Sequence, residues 1–168
     1  MAGRVRVMES LRVMAMRQVA GRLWPEHLPM AAAELLAEGH DSPALRELAG
    51  WSGGERSAEL VQLWYQVLDE LGVERLELAE AERWALRDAA ARLVSGQIVS
   101  LPDLVGEVTG LDIDNAEEGP ELRFSLAVRE GCCQWCVEDL IAVGEPELLA
   151  AWETKVRAAA AALVAEAR

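Results

Sequence analysis

The sequence predicts an all-α fold, a helical bundle of about eight helices, several of them short. Three observations lead there. The apolar content is 52% of 168 residues and is carried mostly by Ala, Leu and Val, with six Trp but one Phe and one Tyr, which suits helices better than strands. Gly and Pro recur at helix-sized intervals, several beside residues that cap helix ends. Between those breaks, apolar residues repeat at spacings of three and four. The length suffices for one buried core, so a single domain over residues 1–168 is expected.

The first helix is expected at about 5–23, with Met8, Leu11, Ala15, Val19 and Leu23 on one face, Arg12 intruding, and Trp24-Pro25 as its end. "LPMAAAELLAEGH" offers Pro29 as an early helical residue and Gly39 as a stop. "DSPALRELAG" repeats the arrangement, with Asp41 or Ser42 as cap, Pro43 inside and Gly50 beyond. A long helix follows before Gly72, with Ser52 and Glu55 spaced as a capping box and Leu60, Trp64, Val67 and Leu71 on one stripe. The next runs from about Glu77 to Val94, with Leu78, Ala85, Ala89 and Leu93 on one face, Trp84 off it and Gly96 after it. Ser100, Pro102 and Gly110 bracket a short helix, and "LDIDNAEEGP" reads as an acidic loop. Glu121 to Val143 reads as a helix with Gly131 inside it. A final helix places Leu149, Trp152, Val156, Ala160 and Leu163 toward the core. The one rival strand is "LRFSLAVR", where apolar and other residues alternate, and a lone strand makes no sheet.

The formal charge is −13, unevenly spread: residues 1 to 22 hold five arginines against Glu9, which is +4 and leaves −17 for the rest. So acidic a body repels phosphate backbones, and nucleic acid is not expected as a partner; a basic protein is permitted. No run of about 18 apolar residues exists to enter a membrane, and the basic N-terminal helix lacks the apolar stretch of a secretory signal. A cytoplasmic protein is expected, and three clustered cysteines suit a reducing compartment.

Those cysteines are the one chemical cluster, Cys132, Cys133 and Cys136 in "REGCCQWCVED". Cys133 and Cys136 have the spacing of a dithiol redox centre, which needs a strand before it and a sheet around it. As metal ligands the three thiols sit on nearly one turn, with only His27, His40 or an acid as a distant fourth, whereas structural zinc takes ligand pairs from separate elements. On a continuous helix, Cys133 and Cys136 share a stripe with Leu122, Leu126, Val137 and Leu140, and Cys132 lies at its edge. Core filling is therefore the expected role.

"GWSGG" matches the nucleophile elbow of α/β-hydrolases by letter, but a helical segment precedes it and both histidines lie before Ser52, so Ser52 is expected to cap. Asp112 and Asp114 begin a calcium-like loop that breaks at Ala116 and Glu117, leaving a solvated turn. His27 and His40 are expected at the surface. Trp51, Trp84 and Trp135 lie in a loop or off a stripe and are the candidate partner contacts. No cofactor motif is present.

Residues 31–72, with the segment "GHDSPALRELAG" ahead of "LVQLWYQVLDELG", resemble small all-helical proteins of GC-rich bacteria that carry a G-x-D-S-P-x-L-R-x-L-A-G segment. The resemblance covers about a quarter of the chain. It implies an all-helical fold and a bacterial source, and it carries no activity or site.

The expected function is a non-enzymatic, acidic, helical protein-interaction module, of the inhibitor or immunity type, that covers a basic surface on its partner; self-association is compatible with the same composition. The alternative is a thiol-redox or metal-binding protein centred on Cys133 and Cys136.

Overall fold

A computed structural model describes residues 2–52, 54–111, 119–130 and 146–166. Among them all regular structure is helical: eight α-helices, one 3-10 turn and no strand. No helix there is long and apolar enough to cross a membrane. The chain divides into two compact units, Met1–Ala81 and Glu82–Arg168.

In the first unit, α1 (Ala2–Val19) is followed by the 3-10 turn Pro25–His27, α2 (Leu28–Ala37), α3 (Pro43–Ala49) and α4 (Ser57–Glu70). α1 ends four residues short of the expected Leu23, because the Arg22 and Leu23 N–H groups both turn back onto the Arg17 carbonyl. α2 packs on α3, and both pack on α4. The core takes Leu11 and Ala15 from α1, Leu28 and Leu35 from α2, Leu45 and Leu48 from α3, and Leu60, Trp64 and Val67 from α4. Each buried Leu or Val among them contributes roughly 1.5–3 kcal/mol by leaving water. The α4 stripe is the one its spacing predicts, with Leu71 half-buried at its end. The Trp64 indole is fully buried, and its N–H meets no acceptor among the described residues.

α5 (Leu78–Val94) begins in the first unit, and the second contains its remainder with α6 (Leu101–Thr109), α7 (Pro120–Arg129) and α8 (Pro146–Glu166). Its buried side chains include Leu86, Leu93, Leu104, Val105, Val108, Phe124, Val128, Val156, Ala160 and Leu163. α7 packs between α6 and α8, and the Trp152 indole N–H donates to the Ala127 carbonyl at 2.8 Å. Arg92 ties α5 to α6: its Nε donates to Asp88 at 2.8 Å while its terminal nitrogens reach Glu107. Arg87 in turn pairs with Glu121 of α7.

"LRFSLAVR" lies within a helix, as expected, and the rival strand does not form. Three expectations for this unit need correction. The helix expected from Glu121 to Val143 ends as α7 at Arg129. Its buried face is Phe124, Ser125, Ala127 and Val128, while Leu126 is 51% exposed and Leu122 only half-buried. Phe124, the bulkiest apolar side chain of α7, takes the core position, and the turn set by Phe124 and Val128 rotates Leu126 away from it. On α8 the buried stripe is Val156, Ala160 and Leu163, with Leu149 and Trp152 half-buried at its start.

Candidate functional site

The segment "GHDSP" folds as a helix-to-helix joint. Gly39 adopts a φ of +97°, which lets the His40 N–H return to the Leu35 carbonyl at 3.0 Å and close α2. That closure turns His40 inward. Its side chain, expected at the surface, is only 6% exposed, and its Nε2 has no partner among the described residues. Ser42 then caps α3, its buried Oγ accepting the Leu45 N–H at 3.2 Å, and Asp41 pairs with Arg46 at 2.7 Å. A second cap comes from α4, where Glu70 Oε2 accepts the Ala44 N–H at 2.9 Å. That bond first, then hydrogen bonds from Gln66 and Ser42 and the charge of Arg46, hold the Glu70 carboxyl below its ordinary value against a smaller opposing effect of burial. Apart from His40 Nε2, the polar side chains of this joint are occupied with backbone and with one another, as in a helix cap.

Ser52 behaves differently from expectation. One of the two capping-box bonds forms, the Ser52 N–H donating to Glu55 Oε1 at 3.1 Å, while the Ser52 hydroxyl donates to the same oxygen at 3.0 Å. Ser52 Oγ also accepts the Gly54 N–H at 3.2 Å, closing a local turn. α4 begins only at Ser57, with Arg56 as its N-cap residue. Helix α3 precedes this turn, which leaves the elbow pattern without its strand.

Trp51 is half-buried against the first core, and Trp84 is half-buried on α5. Trp135, Cys132, Cys133 and Cys136 lie outside the described residues, as do Asp112 and Asp114. The outward turn of Leu126 removes one support for placing the cysteines on a core stripe. The helical state of residues 120–129 equally removes the strand on which the redox alternative depends. His27 is exposed on the 3-10 turn. No group of three or more His, Cys, Asp or Glu among the described residues could hold a metal ion.

Two surface features of the first unit were not legible in the motifs. The first is acidic. α2 presents Met30, Glu34 and Glu38 at four-residue spacing on its exposed side, with Met30 67% exposed. Glu26 precedes them on the 3-10 turn and Glu47 is exposed on the adjoining α3. Among the described residues none of these four carboxylates forms an ion pair, whereas Arg12, Arg46, Arg56, Arg87, Arg92, Arg123, Lys155 and Arg157 all do. Eight of the sixteen cations are thus paired with carboxylates of their own surface, and these four carboxylates face out without such a pair.

The second is a cleft of about 320 Å³ where the end of α4 meets α1 and the chain after α4. Gly72, at φ +71°, lets the Val73 N–H return to the Leu68 carbonyl at 2.9 Å. This brings Val73, Arg75 and Leu76 back along α4. Tyr65 and Asp69, one turn apart on the exposed side of α4, form one wall and Gln18 of α1 another. The Arg75 guanidinium stands over the Tyr65 ring, 6.0 Å from its centroid. The spacing of Tyr65 and Asp69 on a polar face was the available signal, and it is indistinguishable from an ordinary solvated surface without the returning chain.

No protein-family model, curated protein or solved structure matches the chain.

Proposed function

We propose that the chain is a non-enzymatic, acidic, helical protein-interaction module that covers a basic surface on a protein partner, in the manner of an inhibitor or immunity protein. The observation that carries this reading is the exposed carboxylate surplus of the 3-10 turn, α2 and α3, where Glu26, Glu34, Glu38 and Glu47 are exposed along with Met30 and form no ion pair among the described residues. Such a face has two uses for an interface: charge that accelerates encounter with a basic patch, and a flexible apolar side chain that adapts to the surface it meets. The sequence as a whole agrees, since the first unit holds 13 acidic against 8 basic residues and the second 16 against 8.

The test is capture from native lysate with the full chain beside a variant carrying Glu34→Gln, Glu38→Gln and Glu47→Gln. All three side chains are exposed, so the variant keeps its fold. A basic protein retained by the native chain and lost by the variant supports the reading. A partner retained equally by both places the interface elsewhere and contradicts it.

A further inference from the structure

We propose that the cleft between α1 and the end of α4 binds a small zwitterion with an apolar body, of the free α-amino acid class, an activity independent of the acidic face of α2. Two charged groups lining the cleft are unmatched among the described residues. The Asp69 carboxylate has no ion pair or hydrogen bond. The Arg75 guanidinium faces the same cleft with only the Tyr65 ring beneath it. Asp69 and Arg75 thus present opposite charges to one cavity without closing on each other.

The ligand follows from that set. A simple cation would answer Asp69 and leave Arg75 opposing it, while a simple anion would meet Arg75 and be repelled by Asp69. An apolar molecule would strand both. A zwitterion satisfies them together: its ammonium donates to the Asp69 carboxylate, and its carboxylate accepts the two-pronged guanidinium of Arg75. Its body then rests on Leu68, Val73 and Leu76. The cavity of about 320 Å³ lies at the small end of ligand sites, which run from about 300 to 1,000 Å³, a size that admits one amino acid.

The experiment is calorimetric titration of the full chain with L-leucine, L-methionine and L-phenylalanine, and with two truncated probes. These are isopentylamine, which lacks the carboxylate, and 4-methylpentanoate, which lacks the ammonium. At least one amino acid binds, and each truncated probe binds about tenfold or more weakly, as loss of one charged contact requires. Asp69→Asn abolishes the preference for leucine over 4-methylpentanoate, and Arg75→Gln abolishes the preference over isopentylamine. Both residues are exposed, and unchanged circular dichroism verifies that the variants fold. Absence of binding by all three amino acids at millimolar concentration overturns the proposal. So does equal affinity for a truncated probe, or indifference to both substitutions.

Discussion

The last residue of α4, Glu70, places its Oε2 2.9 Å from the backbone nitrogen of Ala44, the second residue of α3. A helix N-terminus has N–H groups without internal partners, and α3 has them filled from two sources: its own Ser42 and the carboxylate of a neighbouring helix. The bond therefore fixes the end of one helix to the start of another, which packing of apolar faces alone leaves free to slide.

This joint makes stability depend on pH. The folded Glu70 carboxyl lies below its ordinary value of 4.5, so its contribution is complete above that value and is lost as pH falls through the folded one. Urea unfolding of the native chain and of Glu70→Gln should show the native chain more stable at neutral pH, with the difference closing under acid. Glu70→Ala, which loses the acceptor as well as the charge, should be the least stable at neutral pH. A difference that widens under acid would contradict the assignment.

Gly39 holds a left-handed backbone conformation with open space around it, so a side chain there meets strain and no clash. Gly39→Ala should lower stability by about 1–2 kcal/mol, the penalty for a β-carbon in that region. Gly50, in a right-handed conformation at the end of α3, serves as the control: the same substitution there should cost less. Equal losses would mean that conformation is not the cause.

Trp64→Ala should cost about 3–5 kcal/mol, as for other buried aromatic residues. Trp64→Phe keeps most of the volume and discards an indole N–H that has no acceptor, so it should cost less than about 1.5 kcal/mol. Chemical denaturation of the two variants decides this. A comparable loss in both would show that the N–H has a partner in solution.

The helices were legible because their ends are local chemistry. Ser42, Pro43 and Gly39 announce the limits of α2 and α3 within a few residues, and Leu60, Trp64 and Val67 declare the buried face of α4 by spacing alone. What failed depended on more than one helix. Leu126 fits an apolar stripe as well as Phe124 does, and only the neighbours of α7 decide which is buried. His40 is polar and follows a glycine, marks of a surface turn, until the closure of α2 carries it inward. Ser52 and Glu55 form only half of the expected capping box, and the chain does not continue from them as helix. The cleft is least legible of all, since Gln18, Asp69 and Arg75 come from three segments and line one cavity only when Gly72 folds the chain back.

The salt dependence of partner binding tests the functional reading most directly. With the captured partner purified, its affinity for the full chain is measured over a series of ionic strengths. Attraction between an exposed carboxylate surface and a basic patch is screened within about 10 Å at 0.1 M salt, so affinity should fall steadily as salt rises. Glu34→Gln with Glu38→Gln and Glu47→Gln should flatten that slope. An affinity that is unchanged across the series, in the native chain and the variant alike, would contradict the acidic face as the binding surface.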